Sequence, residues 1–233
     1  MIKSINLNGQ DLHYDLQRKQ VKNINLRVKP DGHITLSANP RVPESVIEAF
    51  LQENADRILR AVEQCNAARE NVPLPKEYVD GEVFAVFDER KTLRVRMGNK
   101  NSVEDNGDTI LLTLKDTADK AKRQALLQAY LDGICRKTMT ALCQKHHPFF
   151  AAQGVAFPTL RFRRMTSRWG SCHSTKGVVT FNYALIEKPL AFAEYVAVHE
   201  LTHFLQPDHS KQFYHRLSAV LPDWKARREL GKY

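Results

Sequence analysis

The chain has 233 residues, 42% hydrophobic and 26% charged, with 35 Lys+Arg against 26 Asp+Glu. That balance describes a soluble globular protein of one or two domains with room for a sizeable core, and it excludes a low-complexity or disordered chain. No apolar run is long enough for a membrane span, the first residues lack a secretory signal, and four scattered cysteines form no disulfide framework. A reduced, cytoplasmic protein without a membrane partner is therefore expected.

Residues 1–40 read as short β segments. INLRVK (24–29) and HITLSA (33–38) flank Pro30-Asp31-Gly32, a hairpin turn signal. Pro43 opens a helix near 44–64, with Val46, Ile47, Phe50, Leu51, Ile58, Leu59 and Val62 on one core-facing stripe. Residues 66–77 have the composition of a connector. Strands are expected at 78–87, 92–97 and 109–114, with 98–108 as an exposed loop. A helix follows over about 117–145, and His146-His147-Pro148 ends it. Cationic residues suit such a solvated helix end. No internal repeat is visible.

LRFRRM (160–165) alternates as a strand does, with Arg161 and Arg163 on one face. Ser167-Arg168-Trp169-Gly170-Ser171-Cys172 begins the connection to a second strand within GVVTFNYALI (177–186). That strand is read either as an exposed edge for an extended peptide or as an internally paired one. Pro189 then starts an apolar helix, in keeping with its preference for a first turn.

This helix carries His199-Glu200-Leu201-Thr202-His203. Histidines four apart lie on one helical face, about 6 Å apart along the axis, so two imidazoles can converge on one ion. Glu200 beside the first is placed to take a proton from activated water without ligating. Burying these groups on an apolar helix is costly unless they are paired or metal-bound. His209 is the candidate third ligand, because Pro207 lets the chain turn back. Ser210 is a good N-cap for the next helix, and Pro222, Trp224 and Gly231 frame a last short one. Three histidines leave a fourth tetrahedral position open, the catalytic rather than the structural arrangement of zinc. Cys172 is weighed as a fourth ligand against a small buried hydrophobe. Arg168 and Trp169 are weighed as substrate or oxyanion groups against a structural turn in which Gly170 permits the bend.

SRWGSC, FNYALI and YVAVHELTHFLQPDHSKQFY, in that order, resemble the YgjP-like zinc metallopeptidase-domain family, related to the SprT-like and WLM metallopeptidases. The likeness spans roughly residues 116–230. VKPDGHITLSANPRVPESVIEAFL resembles the family more loosely. The resemblance implies an α+β fold, with a β-rich region over 1–115 and a zincin-like metallopeptidase domain over 116–233. It implies His199, His203 and His209 as zinc ligands and Glu200 as catalytic acid/base. Two positions depart from related patterns: Gln206 stands where metzincins have glycine, and Tyr214 where the family usually has tryptophan.

The leading expectation is a cytoplasmic zinc-dependent peptidase acting on a peptide or protein. A metal-dependent nucleotide pyrophosphate hydrolase is a second reading, since zinc can polarise a phosphoryl oxygen and a basic surface attracts anions. A nucleic-acid-associated SprT-like protease or binding module is the third, resting on Arg161, Arg163, Arg164, Arg168 and Lys176 near the site.

Overall fold

The computed structural model describes residues 2–29, 31–70 and 75–232, so Pro30 of the expected turn and residues 71–74 of the expected connector lie outside the described residues. The chain divides into two compact units, Met1–Pro75 and Lys76–Tyr233.

In the first unit, β1 (Ile2–Leu7) and β2 (Gln10–Arg18) form a hairpin across Asn8-Gly9. Both turn residues have positive φ, 50° and 86°, the conformation that matches a two-residue turn to strand twist. β3 (Asn25–Val28) pairs antiparallel with β4 (Ile34–Ala38), and β4 lies parallel to β2, giving the order β1-β2-β4-β3. Side chains alternate across the sheet, so Tyr14 and Leu16 join Ile34, Leu36 and Ala38 on a buried face. α1 (Glu44–Glu53) and α2 (Ala55–Glu70) complete this core through Ile47, Leu51, Ala55 and Ile58. The single expected helix is thus two. They break at Asn54, whose side-chain amide donates to the Phe50 carbonyl at 2.8 Å. Val46 is exposed, and α2 continues to Glu70 through part of the expected connector.

The second unit begins with a sheet of the same pattern. β5 (Val83–Val86), β6 (Glu89–Met97), β7 (Ser102–Asp105) and β8 (Thr109–Leu114) run β5-β6-β8-β7, again hairpin, parallel neighbour, hairpin. The chain therefore contains a topological repeat with no visible sequence repeat. β7 falls inside the expected loop, a short polar edge strand lacking an apolar alternation. The strand expected from residue 78 starts only at Val83, because the Glu82 carboxylate accepts from the N–H groups of Glu77, Tyr78 and Val79 and holds that stretch in a turn.

α3 (Lys120–Ala151) is capped by Asp119, which accepts from the Lys122 N–H. It runs past Pro148, three residues beyond which it ends, because Phe150 is fully buried and keeps the last turn on the core. His146 is correspondingly no solvated end: its Nε2 meets Glu194 Oε1 at 2.7 Å.

β9 (Thr159–Arg163), β10 (Gly170–His173) and β11 (Val178–Asn182) form a three-stranded sheet with β11 in the centre, parallel to β9 and antiparallel to β10. GVVTFNY is therefore internally paired, and the edge next to the site is β10. Buried Asn182 donates to the Met165 and Arg168 carbonyls at 2.7 and 3.0 Å, fixing the approach to β10. α4 (Leu190–Thr202), α5 (Lys211–Val220) and α6 (Trp224–Glu229) follow.

One core in this unit joins Val86, Leu93, Ile110 and Leu112 of the second sheet to Leu127, Leu131 and Met139 of α3 and to Val196, Val198 and Leu201 of α4. This is why the units part at residue 75 rather than at the expected 115/116: β5–β8 bury their apolar face with the helices that follow them. The result is a mixed α+β protein of small sheets and six α-helices among the described residues. None of these helices is long and apolar enough to cross a membrane.

Candidate metal centre

α4 is buried on almost every side, and His199 and His203 emerge together near its C-terminal end. Beyond the helix the chain turns through Pro207 and returns His209. Ligand-type atoms of the three histidines all lie within 4.8 Å of one another, and His199 Nε2 faces His209 Nε2 at 3.0 Å. The ring centroids form a near-equilateral triangle with separations of 4.9, 4.8 and 4.9 Å. Phe213 of α5, fully buried, supports all three rings with its centroid 4.7–4.9 Å from each. Ser210 stands at the N-cap of α5 without a side-chain capping bond, so aromatic packing rather than capping seats this helix.

Two rings are held from behind. His203 Nδ1 lies 3.2 Å from the Gln206 carbonyl, so it carries the proton and donates, leaving Nε2 with its lone pair free. His199 Nδ1 lies 3.3 Å from the Tyr195 hydroxyl. Burial, followed by the neighbouring imidazoles, holds His199 down at about 3, and burial lowers His203 as well. Both rings are neutral near pH 7, as a metal ligand must be. Three imidazoles with no carboxylate among them suit a first-row transition ion better than magnesium or calcium. The residues present fit a bound metal.

Glu200 faces β10 and borders the same cavity as His199. Burial pushes its carboxyl up to about 8, against the charge of Arg168 and the Cys172 N–H, which both favour the ionised form. The closeness of β10 explains Gly170: a Cβ there would lie 2.6 Å from Glu200 Oε1. Glycine is needed for this close approach rather than for a bend, which is a different reason from the expected one. The Cys172 thiol is not part of the histidine cluster, and burial raises it to about 12, which suits a small hydrophobe and not a ligand.

Trp169 packs edge-on against Phe192 at 5.5 Å. The Arg168 guanidinium has no hydrogen-bond or ion-pair partner among the described residues; what it contributes is a charge felt by Glu200. Of the other basic residues, Arg164 pairs with Asp132 at 2.7 Å and lies over Tyr183, while Arg161 and Arg163 share the exposed face of β9. Arg228 of α6, which no sequence signal singles out, borders the same cavity as His199 and Glu200.

On the far side of α4, buried Glu194 receives hydrogen bonds from Lys145 (2.6 Å), His146 (2.7 Å) and Arg227 (2.5 Å). Burial alone would raise its carboxyl; these three bonds outweigh that and hold it at about 2. α3 and α6 are thereby pinned to the helix that carries the histidines.

A family described as YgjP-like, metallopeptidase domain, matches residues 22–231. Among solved structures, the chain is similar to the crystal structure of the metallopeptidase zymogen abylysin from Pyrococcus abyssi. The two are 19% identical, the TM-score is 0.35, and the match covers 39% of this chain and 89% of that one. Among curated proteins, none matches the chain.

Proposed function

The chain belongs to the YgjP-like metallopeptidase-domain family, and from that membership we propose that it is a zinc-dependent peptidase with a zincin-like core. In this reading His199, His203 and His209 hold the metal and Glu200 is the general base and acid. The observation that carries it is the convergence of three histidines within 4.8 Å of one another, beside a buried carboxyl. When bound, zinc supplies Lewis acidity and lowers the pKa of water towards about 7.

The chain's own residues do the rest. The Gln206 carbonyl and the Tyr195 hydroxyl orient the His203 and His199 rings. Glu200 takes the proton of the attacking water at a carboxylate oxygen and delivers it to the nitrogen of the leaving amine. Burial raises its affinity for that proton, while Arg168 and the Cys172 N–H keep the ionised form accessible, so one group can serve in both directions near neutral pH. Gly170 lets β10 approach closely enough to fix the carboxyl. β10 is an edge strand of its sheet, and in this reading an extended peptide lies along it beside Glu200.

Glu200→Gln is expected to retain zinc while peptide hydrolysis falls by at least about a hundredfold. A Glu200→Gln protein that binds zinc and hydrolyses as fast as wild type would falsify the assignment.

A further inference from the structure

Beside His199 and Glu200 opens a cavity of about 430 Å³ whose walls include Trp169, Phe192, Tyr195 and Val196. Three of these come from the turns of α4 preceding His199, and Trp169 closes over them from the segment entering β10. The wall continues behind Tyr195 as a stack, with Trp224 6.4 Å away and nearly parallel. Such a cavity favours a bulky apolar group, and interlocked rings lose little freedom when it is filled.

Its borders carry a second requirement. Arg168 and Arg228 both line the cavity, and both are exposed. The Arg168 guanidinium has no partner among the described residues. Arg228 is held over the Trp224 ring at 5.3 Å, and its ion pair with Glu229 is long, at 3.5 Å. Most of their donors are uncommitted. The cavity's own carboxyl, Glu200, is buried. Two guanidiniums at the edge of an apolar cavity match a planar carboxylate, which each can engage through paired N–H donors.

We propose that this cavity is the specificity pocket of the peptidase, taking a bulky apolar side chain next to the scissile bond together with a nearby carboxylate held by Arg168 and Arg228. The carboxylate is either the C-terminal group of a short peptide or an acidic side chain beside the apolar residue. The proposal rests on the peptidase reading for its place in a reaction, but pocket occupancy can be measured without turnover.

N-Acetylphenylalanine, its amide and N-acetylglycine are titrated into the full chain, metal-loaded and after chelation. The acid is expected to bind roughly tenfold more tightly than the amide, the scale of a charge-assisted hydrogen bond, and more tightly than N-acetylglycine. Arg168→Ala and Arg228→Ala should each reduce the acid-over-amide ratio towards one, in both metal states, whereas Arg228→Lys should keep part of it. Equal binding of acid and amide, or a ratio that ignores both arginines, overturns the proposal. So does a ratio present only in the metal-loaded protein, which would assign the carboxylate to the metal.

Peptides ending in Phe with a free carboxylate, and amidated peptides with an internal Phe-Glu, separate the two carboxylate sources by which set is cleaved. If neither set is hydrolysed while the arginine-dependent ratio persists, the peptidase reading fails and the pocket stands.

Discussion

The two four-stranded sheets share strand order, pairing sense and connection pattern, yet they serve different cores. β1–β4 close their buried face with α1 and α2, and none of the candidate site residues belongs to that unit. β5–β8 bury theirs on α3 and on residues 183–187, and both of these pack on α4, so a sheet of the same design supports, through them, the helix that carries His199, Glu200 and His203. Topology alone therefore does not decide what a sheet supports. The apolar face of the helix that follows it does.

Removing matched core side chains separates the two units most strongly. Leu36 in β4 and Leu112 in β8 are both fully buried. Each leucine-to-alanine change is expected to cost about 2–5 kcal/mol. Leu112→Ala should lose zinc affinity together with stability, while Leu36→Ala should leave zinc binding unchanged. Denaturant titration followed by both intrinsic fluorescence and metal binding checks this, and equal loss of zinc binding in the two variants would refute the division of labour.

A smaller effect sharpens the picture within the second unit. Gly170→Ala must displace the Glu200 carboxyl, so turnover should fall on the order of a hundredfold, the scale of an ångström misplacement, with zinc content preserved. Turnover within twofold of wild type would mean that the approach of β10 is dispensable.

The third effect compares ion pairs. In the first unit, Lys3 pairs with Glu44 between β1 and α1 at the exposed surface, and breaking it should hardly move the melting temperature. In the second, Glu194 ties α3 and α6 to α4 from a buried position. Its folded carboxyl, at about 2, lies below the ordinary glutamate value of 4.5. The stability it contributes is therefore fully present above about pH 4.5 and is lost as pH falls towards 2. Glu194→Gln should be less stable at pH 7 and show a shallower loss between those limits. Parallel acid-unfolding curves for wild type and variant would contradict it.

Much of the site was legible because helical periodicity is local. Positions 199 and 203 must share a face once the segment is helical, and Pro207 marks where the chain can return His209. The strands at 25–28, 34–38 and 109–114 were legible for the same reason, since short apolar and β-branched runs bounded by turn residues need no distant partner. What escaped depends on residues distant in sequence. Glu194 finds its cations at positions 145, 146 and 227. Phe150 carries α3 past Pro148 because of what it packs on, not because of its neighbours. Gly170 is required by a carboxyl thirty residues later, so the segment offered only the bland explanation of a bend. The repeated sheet was invisible because topology is conserved by pairing while the side chains on its faces differ. Arg228 gave no signal at all, for a lone arginine on a short helix is an ordinary surface residue.

The most direct test of the central claim is zinc content by mass spectrometry on purified wild type, His203→Ala and His209→Ala. About one zinc per wild-type chain, lost or greatly weakened in both variants, is the predicted result. A His209→Ala protein that keeps zinc with undiminished affinity would contradict the three-histidine centre, and a wild-type chain that takes up no metal would remove its catalytic role altogether.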